Sequence, residues 1–202
     1  MGMIAAGFAA AQEYSRFTFD ASAGFTESVG NTGRYLDNGW NAGFGAGVNL
    51  SSRLALMAQY QYTDMSMNSA TFRTFGAAGG DGSVWSLTLD PRFHVWPKGP
   101  VDFYVVGGGG VYTRRNAFDP PFTAMATPGS PFFGFVPVAS STPTIPVMLP
   151  SSSLSKPGFN VGAGVQFGKL WHAKFFAEAR WHHMFLGDLH EDYIPVSFGI
   201  TF

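Results

Sequence analysis

The run WNAGFGAGVNL at Trp40–Leu50, the triplet Ser51-Ser52-Arg53 and the run LALMAQYQYTD at Leu54–Asp64 decide how this chain folds. In the first run Ala42, Phe44, Ala46, Val48 and Leu50 alternate with Asn41, Gly43, Gly45, Gly47 and Asn49. In the second, Leu54, Leu56, Ala58, Tyr60 and Tyr62 alternate with a set that includes Gln59, Gln61 and Thr63. A period of two sends successive side chains to opposite faces of an extended strand, so each run has one apolar face and one small or polar face. Three residues between them suffice only for a tight turn, which makes the pair an antiparallel hairpin.

Six further runs show the same alternation. They are Tyr14–Phe25, Ser83–Val95, Val101–Thr113, Gly158–Gly168, Ala173–Met184 and Asp192–Phe202. The fifth run in chain order, Val101–Thr113, is blurred by the consecutive glycines Gly107–Gly110. Links of 14, 3, 18, 5, 44, 4 and 7 residues join the eight runs, so long and short connections alternate. That pattern predicts an all-β fold, an eight-stranded antiparallel up-and-down β-barrel with one plain rim and one elaborate rim. An even number of strands returns the chain to its starting side, so both termini lie with the short turns. Pro91 and Pro195 each lack a ladder donor, which implies a bulge or a loosened pair at each.

Composition chooses which face is wet. Charged residues make up 12% of the chain, about half of the roughly 25% usual in a soluble domain, while aromatics reach 16% with 21 Phe. A soluble barrel carries charge on its outer face, yet the polar face here is mainly Gly, Asn, Gln, Ser and Thr. Small residues suit the crowded interior of an eight-stranded barrel, next to Met57, Tyr104, Tyr112 and Phe176. The apolar face therefore turns to lipid, making this a transmembrane barrel. Trp40, Tyr62, Trp85, Trp181 and Tyr193 fall near the long-link ends of strands and Trp96 and Trp171 near the short turns, as two interface girdles.

These residues carry a resemblance. The closing Tyr193–Phe202, with Ile194, Val196, Phe198, Ile200 and a final Phe202 on one face, resembles the signal read by the barrel-assembly machinery. Phe103–Tyr112 resembles the glycine-rich fifth strand of small outer-membrane β-barrels of the OmpA and OmpX type. As a pattern the resemblance spans residues 14 to 202. It implies the outer membrane of a two-membrane bacterium, with long links outside, termini in the periplasm, outer-membrane lipid as surroundings and the assembly machinery as partner of the last strand.

On the inferred inner face the charges are Arg16, Asp20, Asp90, Arg92, Asp102, Lys174, Glu178 and Arg180, four of each sign. Buried charges persist only when paired, so these are expected to pair across the lumen as a polar plug. Rearrangement of Glu178 and Arg180 would be the route to a narrow ion-conducting pore. His182, His183 and His190 suggest a metal, but strand alternation sends His182 inward and His183 outward, so no metal site and no cofactor is expected. Outer-membrane lipid A deacylases place a Ser two residues after their His. Here Met184 follows His182 at that spacing and Phe185 follows His183, so even with Glu191 nearby no nucleophile is present and no enzyme is expected.

The link over 114–157 holds nine of the 13 prolines and the aromatic stretch Pro131-Phe132-Phe133-Gly134-Phe135, enough to cover the barrel mouth or meet an external partner. Met1–Ala11 is apolar and uncharged and ends in Ala9-Ala10-Ala11, as the remnant of a signal peptide would, with the barrel domain over 12–202 and no peptidoglycan-binding domain after it. A net charge of -1 points away from nucleic acid, and the absence of Cys excludes disulfides and thiolate chemistry. The expected role is structural or surface-interactive, as a non-catalytic monomer. A narrow ion-conducting pore and a soluble lipocalin-like binder of a small ligand are the alternatives.

Overall fold

The computed structural model describes residues 15–30, 37–66, 80–97, 99–118, 123–126, 145–148, 152–170, 173–185 and 190–202. Its strands in chain order are β1 (Phe17–Ser28), β2 (Gly39–Asn49), β3 (Leu54–Ser66), β4 (Gly80–His94), β5 (Val101–Phe118), β6 (Thr123–Ala126), β7 (Ile145–Met148), β8 (Ser152–Leu170), β9 (Ala173–Phe185) and β10 (His190–Thr201). Eight of them close a barrel in the order β1-β10-β9-β8-β5-β4-β3-β2, and β6 and β7 pair separately. Closure joins β1 to β10 antiparallel from Asp20↔Thr201 to Ser28↔Tyr193, so the first and last strands leave no open edge across the bilayer. Met1–Ala11, Tyr14 and Trp171 lie outside the described residues.

The long link is shorter than the sequence implies. β5 and β8 pair from Val101↔Phe167 to Asn116↔Ser152, so the ladder extends into the expected link over 114–157 from both ends, and β6 and β7 form a hairpin within the remainder. Pro157 and the serines before it look like loop, but the ladder continues through Val111↔Pro157 and Thr113↔Ser155. β8 meets β9 only from Gly158↔Met184 onward, so Ser152–Pro157 pairs on one side alone. A proline is tolerated there because an edge residue owes no donor to a second neighbour.

Pro91 and Pro195 each loosen a ladder without shifting its register. The β4–β5 ladder passes from Leu89↔Gly109 to Arg92↔Val106, skipping Pro91. The β9–β10 ladder passes from Tyr193↔His182 to Val196↔Ala179, skipping Pro195. The register shift lies elsewhere, between Phe167 and Leu170 at the β8–β9 turn, where Gly168 has a φ of 66° that a side chain would strain.

The apolar face points outward. Phe19, Phe44, Leu87, Leu89, Phe103, Val105, Val161 and Phe198 are all exposed on the outer wall. Asn41, Met57, Ser86, Thr88, Tyr104 and Tyr112 are buried inside. This is the reverse of a water-soluble barrel and the arrangement that hydrocarbon requires.

Candidate functional site

The lumen is where the sequence concentrates its chemistry. Period-two alternation sends Asp20 of β1, Thr88, Asp90 and Arg92 of β4, Asn160 of β8, and Glu178 and Arg180 of β9 inward, and all are buried. Glycines on facing strands make the room. A Cβ on Gly45 would lie 2.1 Å from Asp20 Oδ1, and one on Gly108 would lie 2.2 Å from Asp90 Oδ1. At Gly164 it would fall 2.4 Å from the Tyr104 ring.

Across this space runs a chain of alternating charge. Arg92 Nη2 lies 2.9 Å from Asp20 Oδ2 and 3.7 Å from Glu178 Oε2. Arg180 then contacts Glu178 Oε1 through Nε at 2.5 Å and Asp90 Oδ2 through Nη1 at 2.7 Å. Neutral donors finish both ends: Gln59 Nε2 donates to Asp20, while Thr88 Oγ1 and Asn160 Nδ2 donate to Asp90 at 2.7 and 2.9 Å. The Arg92 guanidinium also sits 4.8 Å over the Tyr104 ring. Ionic hydrogen bonds of this kind are shorter and stronger than neutral ones, and here they tie β1, β4 and β9 together through the middle of the barrel.

Two further layers fill the lumen. Toward the long links, Arg114 Nη1 meets Glu191 Oε2 at 2.5 Å, and Tyr112 shares a 3.1 Å hydrogen bond with His182 Nδ1. His182 in turn stacks on Tyr193, with centroids 5.0 Å apart. Toward the short turns, His94 Nδ1 lies 2.6 Å from Asp102 Oδ2, whose other oxygen accepts from the Trp96 backbone N–H. Every barrel strand contributes a buried side chain to one of these layers or to the packing between them.

The eight charges expected inside divide three ways. Asp20, Asp90, Arg92, Glu178 and Arg180 meet in one chain, and Asp102 forms a separate pair with His94. Lys174 is half-buried, and Arg16 is exposed in the bend before β1, so Arg16 is corrected out of the lumen. The expected balance of signs also changes, because the central chain has three carboxylates against two guanidiniums. Arg114 and Glu191 form a lumen pair that the run boundaries hide, because both positions fall in links between the alternating runs. Their signal is parity: Arg114 follows the inward Tyr112 by two residues, and Glu191 precedes the inward Tyr193 by two.

Among the expected interface aromatics, Trp40 is exposed and close to Tyr62, and its Nε1 donates to Asp64. Trp85 is exposed, Trp96 is 63% exposed, and Trp181 is half-buried with its edge against Phe159. Tyr193 requires correction, for it is 1% exposed and lies in the lumen. Its odd position opposes the outward Ile194, Val196, Phe198, Ile200 and Phe202, and alternation overrides its nearness to the rim. His182 and His183 lie on opposite faces, His183 pairing outside with Asp192 at 2.7 Å. Among the described residues, no three His, Asp or Glu side chains converge on a site that could hold a metal ion.

A family model described as the outer membrane protein beta-barrel domain matches residues 1–202. No curated protein matches the chain in sequence. Among solved structures, Neisserial surface protein A superposes with a TM-score of 0.61 at 14% identity, over 93% of this chain and 96% of that one. A major outer membrane protein from Thermus thermophilus gives 0.57 at 9% identity, over 92% and 98%. At such identities the likeness is one of fold.

Proposed function

Because the chain belongs to the outer membrane protein beta-barrel domain family, we propose that it serves as a sealed, non-catalytic barrel with a structural or surface-interactive role. In this reading the short turns and termini face the periplasm and the long links face outward. The C-terminal strand, with Ile194, Val196, Phe198, Ile200 and Phe202 on its lipid face, engages the assembly machinery. The link between β5 and β8 meets any external partner, and the protein works as a monomer. One observation carries the sealed lumen: the buried chain from Asp20 through Arg92, Glu178 and Arg180 to Asp90, which spans the barrel interior. Opening a path for ions would separate buried partners and leave their charges uncompensated, which the low-dielectric interior penalises.

Planar-bilayer recording tests this. The refolded protein is expected to stay silent, while Glu178→Ala and Arg180→Ala raise leak. Discrete single-channel steps from the unmodified protein, altered in amplitude by either substitution, would replace the sealed barrel with a narrow pore.

A further inference from the structure

Beyond one rim the barrel carries a polar stalk. The β8–β9 ladder ends at Gly158↔Met184, but the β5–β8 ladder runs on to Asn116↔Ser152. Residues 152–157 therefore take β8 about 20 Å further along its own direction, roughly 15 Å in height at a barrel tilt of about 40°. Arg115, Ser153 and Ser155 are exposed on this extension, so it stands in water and not in hydrocarbon.

Past the stalk the chemistry changes. Residues 120–151, which follow Asp119, contain no Asp, Glu, Lys, Arg, His, Asn or Gln, whereas about a quarter of an ordinary soluble chain is charged. Within them β6 and β7 pair antiparallel from Thr123↔Met148 to Ala126↔Ile145. The register puts Ala124, Ala126, Ile145 and Val147 together on one face of this hairpin, with no polar residue among them. Among the described residues neither strand joins the barrel sheet. A two-stranded sheet alone is marginal in water, so this face needs an apolar partner.

Its dimensions select the partner. Two strands of four residues offer a face of about 14 by 10 Å, on the order of 140 Å², against the roughly 800 Å² that each side of a stable protein interface buries. Strand addition at the edges is opposed by their brevity and by Pro146. A lipid surface demands neither that area nor a matched shape, and a segment with no charge to desolvate enters it at the least cost.

We propose that the β6–β7 hairpin binds the lipid surface of a second, apposed membrane through its apolar face, with no contribution from charge. This rests on the reading that the link between β5 and β8 meets an external partner, and it identifies that partner as a bilayer.

Flotation of the barrel embedded in lipid nanodiscs tests the contact, because both rims are then open to solution and the outcome does not depend on which rim faces out of the cell. Loaded discs are expected to rise through a density gradient with phosphatidylcholine vesicles while empty discs stay behind, equally in low and high salt. Val147→Asp and Ile145→Asp are each expected to lower the partition coefficient about tenfold or more, the loss of one buried apolar side chain, whereas Val147→Leu keeps it. Heat-dependent electrophoretic mobility checks that each variant retains a closed barrel. Loaded discs that stay behind would overturn the proposal, as would flotation that survives both Asp substitutions. Flotation that needs anionic lipid or vanishes in high salt would overturn it too, by assigning the contact to Arg115 and Lys156. So would loaded discs that pair with one another without vesicles and do not float, which would assign the face to a second copy. Conductance of the unmodified barrel reads the sealed lumen separately, so either reading can fail alone.

Discussion

Arg180→Met tests the lumen chain at its most connected link. The guanidinium touches two carboxylates, Glu178 Oε1 at 2.5 Å and Asp90 Oδ2 at 2.7 Å, and is nearly inaccessible to solvent. Methionine fills much of the stem volume but leaves both acids short of a counter-charge. Asp90 keeps its Thr88 and Asn160 donors, whereas the nearest cation left to Glu178 is Arg92 at 3.7 Å, so Glu178 bears the larger loss. Removing one member of a buried ion pair costs about 3–5 kcal/mol, mainly from the charge left behind. The double substitution Glu178→Leu/Arg180→Met removes both members of the tightest contact and is expected to recover about 0.5–3 kcal/mol of that loss. Equilibrium denaturation in lipid vesicles, followed by tryptophan emission, measures both. A loss below about 1 kcal/mol for Arg180→Met, or a double variant that merely sums the singles, would refute a chain of desolvated, mutually dependent charges.

Three other outcomes follow from the same geometry. Gly108→Ala and Gly110→Ala place a Cβ 2.2 and 2.0 Å from backbone oxygens of β4 and should cost about 1–3 kcal/mol, whereas Gly107→Ala and Gly109→Ala meet nothing closer than 3.2 Å. Denaturation midpoints that do not alternate along these four positions would contradict the assignment of faces. Leu89→Arg on the exposed outer wall should cost about 2–4 kcal/mol in a bilayer if that wall faces the midplane of the hydrocarbon, and a neutral result would mean the wall is wet. Amide hydrogen exchange near Gly107–Gly108 and Arg180–Trp181, where the ladders skip Pro91 and Pro195, should outpace exchange at the paired Gly109 and Ala179, and uniform protection would show the skipped pairs to be intact.

The barrel was legible because its signal is local. Alternation along Trp40–Leu50 and Leu54–Asp64, repeated in six more runs, needs only the pleat of a strand to assign every side chain to a face, and a scarcity of charge says which face avoids water. Errors arose where a local cue outweighed that parity. Nearness to a rim masks the odd position of Tyr193, and the prolines downstream of Arg114 mask the continuation of β5 to Phe118. The alternation of Tyr14–Phe25 starts ahead of β1, which begins at Phe17, so Arg16 has no strand to turn it inward.

By itself, then, the sequence determined the strand count, the antiparallel order and the two faces, since each follows from neighbours a few residues apart. Only closure of the barrel decided which charges meet. Asp20, Asp90 and Glu178 lie far apart in the chain, and the shear that aligns β1 with β10 and β4 with β5 sets their heights in the lumen. Whether three acids share two arginines depends on that three-dimensional register, which no one-dimensional period contains.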